Sequence, residues 1–175
     1  MTRNAPVKRR SKRNAPLKTV RILFVCYGNI CRSPMAEFVM KDLAAKWRAE
    51  RGAAADIEFE IASAATSDEQ LGNEVYPGTR RKLAEHGISC AGKRARQMNR
   101  GDYGRYDYLI GMDRLNLRGM TRICGGDPEG KIHLLLDFTG QQRDIADPWY
   151  TDDFEATWND VLAGCSALLA KLTGE

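Results

Sequence analysis

A short run of strand-forming residues ends at a cysteine and is followed at once by the signals that start a helix. Residues Val20–Val25 are almost continuously apolar, as expected of a strand buried on both faces of a parallel sheet. Ser33 and Pro34 are typical of an N-cap and a first helical position, and Glu37 then falls in the predicted first turn. An apolar stripe at helical spacing follows: Met35, Phe38, Val39, Leu43 and Trp47. The chain must therefore turn from strand to helix within the few residues that begin at Cys26.

The rest of the chain repeats this alternation. The pattern predicts three further strands, over 57–67, 106–113 and 131–136. Between them it predicts a helix over Pro77–Glu85, ended by His86–Gly87, and a helix over Arg114–Cys124. A last helix is opened by a capping box at 152–155 and reaches about Leu172. Strands alternating with helices predict an α/β fold: an open four-stranded parallel sheet with helices on both faces. Ligands of such sheets bind at the carboxyl ends of the strands, so we expect a phosphate-binding site in the loop after the first strand.

Charge divides the chain into two parts. Residues 1–19 contain seven basic residues and no acidic one, which leaves 20 basic against 23 acidic residues in the remainder. The segment RNAPVK at Arg3–Lys8 returns as RNAPLK at Arg13–Lys18. We predict a basic, disordered tail over 1–19 and one domain over 20–175. The tail is either a weak contact for a polyanion or a solvated leader, and we favour the leader.

Composition narrows the class of protein. The five cysteines are odd in number and sparse, which favours free thiols in a reducing cytoplasm over a disulfide scaffold. The two histidines, His86 and His133, do not have metal-ligand spacing relative to any cysteine pair, so we expect no metal. No apolar run has bilayer length and no secretory signal is evident, so we expect no membrane span and a cytoplasmic location.

The turn after the first strand has the chemistry of an anion site. A helix N-terminus presents unpaired backbone N–H groups to an anion, and Gly28 and Asn29 allow the backbone to curl around it. Arg32 adds a planar fork that matches two phosphate oxygens. The same positive field favours the thiolate form of Cys26, which is a nucleophile, and Ser33 is placed to donate a hydrogen bond to it. The alternative, a buried cysteine beside an exposed arginine, explains fewer of these residues.

A phenolic leaving group also needs an acid. Asp147 is our candidate, because Pro148 stiffens the backbone after it, and Trp149 and Tyr150 are suited to walling a slot for a flat ring. Taken alone, an Asp-Pro pair would indicate only a turn.

In this order, VCYGNICRSPMAE, SAATS, EHGI, RARQ, YDYLIGMD and DPWY closely resemble a low-molecular-weight protein tyrosine phosphatase, over roughly Val20 to Leu172. The resemblance implies hydrolysis of phosphotyrosine proteins or peptides, and of small aryl phosphates, through a phosphocysteine intermediate and without a metal or cofactor. It implies that Cys26 is the nucleophile, that Arg32 holds phosphate oxygens, that Ser33 stabilises the thiolate and that Asp147 is acid and then base. Further implied site residues are the phosphate-loop and slot positions Tyr27, Gly28, Asn29, Ile30, Cys31, Glu69, Trp149 and Tyr150, and a supporting Ser63. Cys31 is also implied as a redox partner of Cys26; the spacing of the two leaves a plain filler thiol equally open.

Two positions depart from the family pattern. Lys93 replaces a histidine that supports the loop asparagine in many relatives, and a lysine donates hydrogen bonds without accepting any. Glu69 stands where an aromatic or similar residue usually lines the slot, which either favours basic peptides or makes a solvated loop.

Other activities share the same phosphate loop. An arginine phosphatase typically has threonine at the place of Ile30, and an arsenate reductase needs a further close cysteine pair, whereas Cys90 and Cys124 are far apart. A phosphopeptide-binding module without catalysis is disfavoured by the presence of Cys26, Arg32 and Asp147 together.

Overall fold

The computed structural model describes residues 17–175, which form a four-stranded sheet covered by helices. The strands are β1 (Lys18–Cys26), β2 (Ile57–Ala65), β3 (Tyr108–Gly111) and β4 (Ile132–Leu134). They are all parallel and lie in the order β2-β1-β3-β4. The predicted α/β fold class is therefore confirmed.

In the part of the chain that the structure describes, six α-helices connect and cover the strands. They are α1 (Arg32–Arg51), α2 (Pro77–Glu85), α3 (Gly101–Arg105), α4 (Arg114–Cys124), α5 (Pro148–Thr151) and α6 (Phe154–Thr173), and two short 3-10 helices span Gly52–Ala54 and Leu135–Thr139. No helix of the described residues is long and apolar enough to cross a bilayer.

Strand β1 lies at the centre and is buried on both faces. Ile22 and Phe24 point into a large core shared with α1 and α6, whereas Leu23 and Val25 point into a smaller core that includes Met120 of α4. Because side chains alternate across a strand, one almost continuously apolar segment supplies both cores.

The strand boundaries differ from the prediction. β1 begins at Lys18, two residues before the predicted Val20, because Lys18 and Thr19 pair in register with the start of β2. β3 and β4 are shorter than predicted, and β4 ends at Leu134 because Leu135 already begins a 3-10 helix. Apolar runs extend past the hydrogen-bonded ladder because the flanking residues are buried too. Residues 1–16 of the predicted tail lie outside the described residues.

Three predictions about helix starts are wrong. Helix α1 begins at Arg32 with Cys31 as its N-cap, so Ser33 lies within the first turn instead of capping it. Glu37 lies beyond the first turn and is buried, so it does not act on the helix dipole there. At α6 the N-cap is Asp153, one residue later than the capping box predicted over 152–155; it accepts a hydrogen bond from the Ala156 amide, and the alanine side chain cannot complete such a box.

The topology brings three chain segments to one edge of the sheet. The chain passes from β1 to β2 on one side and then returns to β3 on the other, so the strand order reverses at β1. Cys26 ends β1 at this switch point. Ile145 donates its backbone N–H to the carbonyl of Met112, just past β3, at 2.9 Å, and this contact carries Asp147 to the same edge.

Candidate active site

The loop between β1 and α1 is held by Asn29. Asn29 has a left-handed backbone (φ 58°), a conformation that asparagine tolerates better than most residues. Its side-chain N–H₂ donates to Ser33 Oγ at 2.9 Å and to Ser63 Oγ at 2.8 Å, and its side-chain oxygen accepts from the backbone N–H of Arg96 at 3.1 Å. These three bonds tie the loop to α1, to β2 and to the segment after α2.

Cys26 lies in the floor of this loop beside a serine hydroxyl. Its Sγ is 3.0 Å from Ser33 Oγ, and both side chains are buried. The backbone carbonyl of Cys26 accepts from the Thr66 amide at 2.9 Å, which fixes the end of β1 against the loop after β2. The predicted Cys26–Ser33 contact is therefore present in the fold.

Arg32 is buried and faces acidic partners. Its Nη1 donates to Asp113 Oδ2 at 2.7 Å and to the carbonyl of Ile145 at 2.9 Å, and its Nη2 donates to Asp147 Oδ2 at 3.1 Å. Within residues 17–175, Arg32 Nε is buried and has no hydrogen-bond partner. Burial alone would lower the pKa of Arg32, but the charges of Cys26, Asp147 and Asp113 together raise it. The guanidinium is thus a fixed cation whose buried Nε–H has no partner.

Asp147 caps the short helix α5. Its Oδ1 accepts from the Trp149 amide at 3.1 Å, while Oδ2 contacts Arg32. Trp149 and Tyr150 follow on α5 and are exposed, Tyr150 to 85%. Trp149 packs edge-on against Tyr76, with 5.4 Å between ring centroids. Exposed aromatic rings beside a half-buried carboxylate make the wall of a cleft.

One cleft collects most of the residues that the sequence predicts for the site. It is lined by Cys26, Tyr27, Gly28, Ile30, Cys31, Arg32, Glu69, Gln70, Asp147, Trp149 and Tyr150. Asn29, Ser33, Ser63 and Lys93 do not line it and lie behind the loop. A Cβ on Gly28 would lie 3.1 Å from Gln70 Cγ, so a larger residue there would push Gln70 aside.

Lys93 belongs to a buried network that the sequence did not predict. Glu37 accepts a hydrogen bond from Ser63 Oγ, and Lys93 Nζ lies 3.1 Å from Glu37 Oε2 and donates to the Ser63 carbonyl at 3.0 Å. Burial lowers the pKa of Lys93, and the Glu37 charge opposes that change. Lys93 therefore acts through Ser63 and does not bond to Asn29 itself.

Glu69 closes one side of the cleft mouth through Tyr27. The Tyr27 hydroxyl donates to Glu69 Oε1 at 2.6 Å. This hydrogen bond raises the pKa of Tyr27, because it stabilises the protonated phenol. The acidic residue at this position is therefore bound to a wall of the slot, which neither of the two sequence interpretations anticipated.

Three contributing residues escaped the sequence analysis. Asp113 ends the predicted third strand and orients Arg32, Glu37 supports Ser63, and Gln70 lines the cleft. Only Asp113 carried a signal, because an acid at the carboxyl end of a parallel strand lies at the ligand-binding edge.

Cys31 is a buried thiol, and burial raises its pKa to about 12. Within residues 17–175 no group of three or more potential ligands is placed to hold a metal ion.

The site has a thiol beneath a curled loop, a buried cation beside the thiol and a carboxylate across the cleft. Cysteine-dependent phosphatases are built in this way. The family model described as "Low molecular weight phosphotyrosine protein phosphatase" matches residues 21–175, and the chain belongs to that family.

Similar proteins agree with this family. The chain is 39% identical to the low molecular weight protein-tyrosine-phosphatase YfkJ of Bacillus subtilis over 158 residues, which are 89% of this chain and 97% of YfkJ. The crystal structure of YfkJ has a TM-score of 0.80 and covers 90% of this chain and 96% of its own. The low molecular weight phosphotyrosine protein phosphatase of Sus scrofa is 37% identical, with 88% and 96% covered. A crystal structure titled drosophila arginine phosphatase is 27% identical, with a TM-score of 0.76 and 86% and 96% covered.

Proposed function

We propose that this protein hydrolyses phosphotyrosine in proteins and peptides, with Cys26 as the nucleophile. The observation that carries the proposal is the arrangement around Cys26 Sγ: Ser33 Oγ at 3.0 Å, and the buried Arg32 with its unpaired Nε on the same cleft. A phosphate dianion seated on the loop amides would meet the thiolate on one face and Arg32 at its side.

Substrate binding would first rearrange the contacts of Arg32. The phosphate supplies an acceptor for Arg32 Nε and competes with Asp147 for Nη2, whereas Asp113 and the Ile145 carbonyl keep Nη1 in place. Asp147 is thereby released from its contact with the cation. Asp147 would then face the ester oxygen of the bound tyrosine.

Two steps complete the reaction. In the first, a bond forms between Cys26 Sγ and phosphorus while the bond from phosphorus to the phenolic oxygen breaks, and Asp147 gives its proton to that oxygen. In the second, a water attacks phosphorus and Asp147 takes its proton, so that inorganic phosphate forms and the thiolate leaves. Ser33 Oγ would donate to that thiolate, as its 3.0 Å separation allows.

The cleft walls suit an aromatic substrate. Tyr27, Trp149 and Tyr150 line the mouth above Cys26, so the phenyl ring of phosphotyrosine can lie between aromatic side chains while its phosphate reaches the loop. Phosphoserine, with its shorter side chain, would leave these walls uncovered and would not reach as deep.

Two variants and two substrates test the assignment. Cys26→Ser should abolish turnover of p-nitrophenyl phosphate. Asp147→Ala should slow phenyl phosphate by about 10²–10⁴-fold, and should slow an ester of a much more acidic phenol far less, because such a leaving group needs no proton. Thermal denaturation of each variant serves as the control for folding.

The outcomes separate the candidate roles. Appreciable turnover by folded Cys26→Ser would rule out that nucleophile, and equal losses on both esters in Asp147→Ala would mean that another residue is the acid. If wild-type protein binds phosphotyrosine peptides without hydrolysing them, the chain is a binding module instead of an enzyme.

Phosphoarginine is a second candidate substrate, because a structural neighbour is titled an arginine phosphatase. Ile30 lines the cleft and is buried there, which gives an apolar contact and no hydroxyl to receive a polar guanidinium. We therefore expect phosphotyrosine peptide to be turned over faster than phosphoarginine peptide in a direct comparison of kcat/KM, and the reverse order would change the assigned substrate.

Three further assignments belong to this proposal. The catalytic domain spans residues 20–175 together with Lys18 and Thr19, which begin β1. The basic segment before it provides at most a weak contact for polyanions. A cytoplasmic location is supported by the five free thiols, Cys26, Cys31, Cys90, Cys124 and Cys165. Fractionation of cells expressing the full chain, and a polyanion-binding measurement with and without residues 1–16, would test them.

A further inference from the structure

A second, basic groove adjoins the mouth of the cleft. It is lined by Tyr27, Thr66, Leu115, Arg118, Gly119 and Arg122. Tyr27 also lines the catalytic cleft, so its ring separates the two and forms a wall of both. Glu69 lines the cleft and not the groove, and its carboxylate accepts a hydrogen bond from the hydroxyl of the shared wall residue Tyr27.

The groove is rigidly attached to the phosphate loop. The Thr66 amide donates to the Cys26 carbonyl at 2.9 Å, and the next amide, of Ser67, donates to the Tyr27 carbonyl at 3.1 Å. Helix α4 reaches Thr66 at Gly119, where a Cβ would lie 3.0 Å from the Thr66 methyl group. A group bound in the groove would therefore lie at a fixed distance from the nucleophile.

The residues that line the groove include two arginines and no acidic residue. Helix α4 carries three arginines and no acidic residue. The side chains of Arg118 and Arg122 are exposed and make no ion pair or hydrogen bond with another residue of 17–175. The acid at the start of the helix, Asp113, has both carboxylate oxygens engaged, one with Arg32 and the other with the Asn116 amide.

An apolar residue completes the surface. Leu115 is 68% exposed and Tyr27 is 49% exposed, and both are among the few large hydrophobic residues that the described chain leaves exposed. Leu115, Arg118 and Arg122 are three and four residues apart, so they lie on one face of α4, with the two arginines about 6 Å apart along the axis. Exposed apolar side chains beside unpaired arginines mark a binding surface for an amphipathic, anionic segment.

We propose that this groove is a secondary subsite that binds an anionic side chain of the phosphotyrosine substrate, a few residues from the tyrosine. The inference rests on the proposed phosphotyrosine hydrolysis and names its substrate class: acidic phosphopeptides. Arg118 and Arg122 bind a carboxylate or a second phosphate group, since each of these anions presents two oxygens that fit a guanidinium fork. Leu115 covers the apolar part of the same segment.

Peptide kinetics with the full chain test the subsite. A neutral phosphotyrosine peptide is compared with a series that carries a single glutamate, or a single phosphoserine, at each position within about four residues of the tyrosine. The readout is the ratio of kcat/KM for the anionic peptide to kcat/KM for the neutral one, because this ratio cancels effects on the chemical step. Arg118→Gln and Arg122→Gln should each lower the best ratio roughly two- to five-fold, and the double variant roughly ten-fold, as expected for exposed charge pairs.

A matched control distinguishes direct contact with the two arginines from the effect of removing any one positive charge from the protein. Arg48→Gln removes the same charge from an exposed position on α1 that does not line the cleft or the groove, and should leave the ratio unchanged. Raising the ionic strength should reduce the wild-type ratio toward one. The peptide series with the larger kcat/KM ratio, glutamate or phosphoserine, identifies the anion that the groove prefers.

The results have distinct meanings. A wild-type ratio near one at every position, a ratio that survives in the double variant, or an equal drop in Arg48→Gln would refute the subsite while leaving phosphotyrosine hydrolysis intact. Failure of wild-type protein to hydrolyse even the neutral peptide and p-nitrophenyl phosphate would refute the proposed function and the subsite together.

Discussion

Replacing Lys93 by methionine should weaken both the fold and the phosphate loop. Lys93 Nζ lies 3.1 Å from Glu37 Oε2 and donates to the Ser63 carbonyl, and its side chain is 13% exposed against 5% for that of Glu37. Ser63 in turn accepts from Asn29, which shapes the loop. Methionine has similar length and no charge, so the variant removes the cation and leaves the carboxylate buried.

The magnitude follows from the surroundings of Glu37. Removing one partner of a buried ion pair costs about 3–5 kcal/mol, because the other charge stays buried without compensation. Glu37 keeps its hydrogen bond from Ser63 and an exposed ion pair with Lys41 at 2.6 Å, which places the expected loss at the lower end, about 3 kcal/mol. For a domain of this size that corresponds to a fall in Tm of about 6–12 °C.

Thermal denaturation at neutral pH and turnover of p-nitrophenyl phosphate measure the two effects. Lys41→Met is the matched control, since it takes an exposed lysine from the same carboxylate and should cost only about 0.5 kcal/mol. Lys93→Met should also lower kcat/KM by about ten-fold, because small displacements of groups that position a reacting centre are costly.

A double-mutant cycle tests the reasoning itself. In a Glu37→Gln background the buried charge is gone, so Lys93→Met should cost at least about 1.5 kcal/mol less than in wild type. If the two losses simply add, or if Lys93→Met destabilises no more than Lys41→Met, the buried pair is not what supports Ser63 and the loop.

The remaining predictions concern the loop, its second cysteine and the core. Asn29→Ala removes three hydrogen bonds and puts alanine, which tolerates a left-handed backbone less well than asparagine, at φ 58°, so we expect Tm to fall by several degrees and kcat/KM to fall by at least about ten-fold in aryl phosphate assays. After peroxide converts Cys26 to its sulfenic acid, the Cys31 thiol should condense with it to a disulfide and release water. Without Cys31, excess peroxide should oxidise the sulfenic acid further to the sulfinic acid, which thiols do not reduce, so thiol reductant should restore wild type but not Cys31→Ser; equal recovery would leave Cys31 as packing only. Gly164→Ala should lower Tm, because the new Cβ would lie 2.5 Å from Leu135 Cγ in the core; an unchanged Tm would show that the side chain moves at little cost.

Local sequence patterns located most of the elements, and the errors lie where local and tertiary signals compete. Ser33–Pro34 reads as a helix start, but the helix begins one residue before Ser33 because Ser33 Oγ bonds to Cys26 and Asn29 instead of to its own helix. The apolar run after Lys131 predicts a longer strand than exists, because Leu135 and Leu136 are buried from a 3-10 helix. Hydrophobicity reports burial, and it does not report which backbone conformation achieves it.

By itself the sequence determined the alternation of strands and helices, the position of Cys26 at a strand end, and the residue types of a phosphate loop, because these depend on short-range periodicity and on chemistry within eight residues. Only the tertiary structure decided that Arg32 bonds to Asp113 and Asp147, that Lys93 acts through Glu37 and Ser63, and that Arg118 and Arg122 line a groove beside the cleft. Those contacts join residues from 26 to 115 positions apart in the chain. The residues of the site meet because parallel strands end at one edge of the sheet, and no local pattern records that meeting.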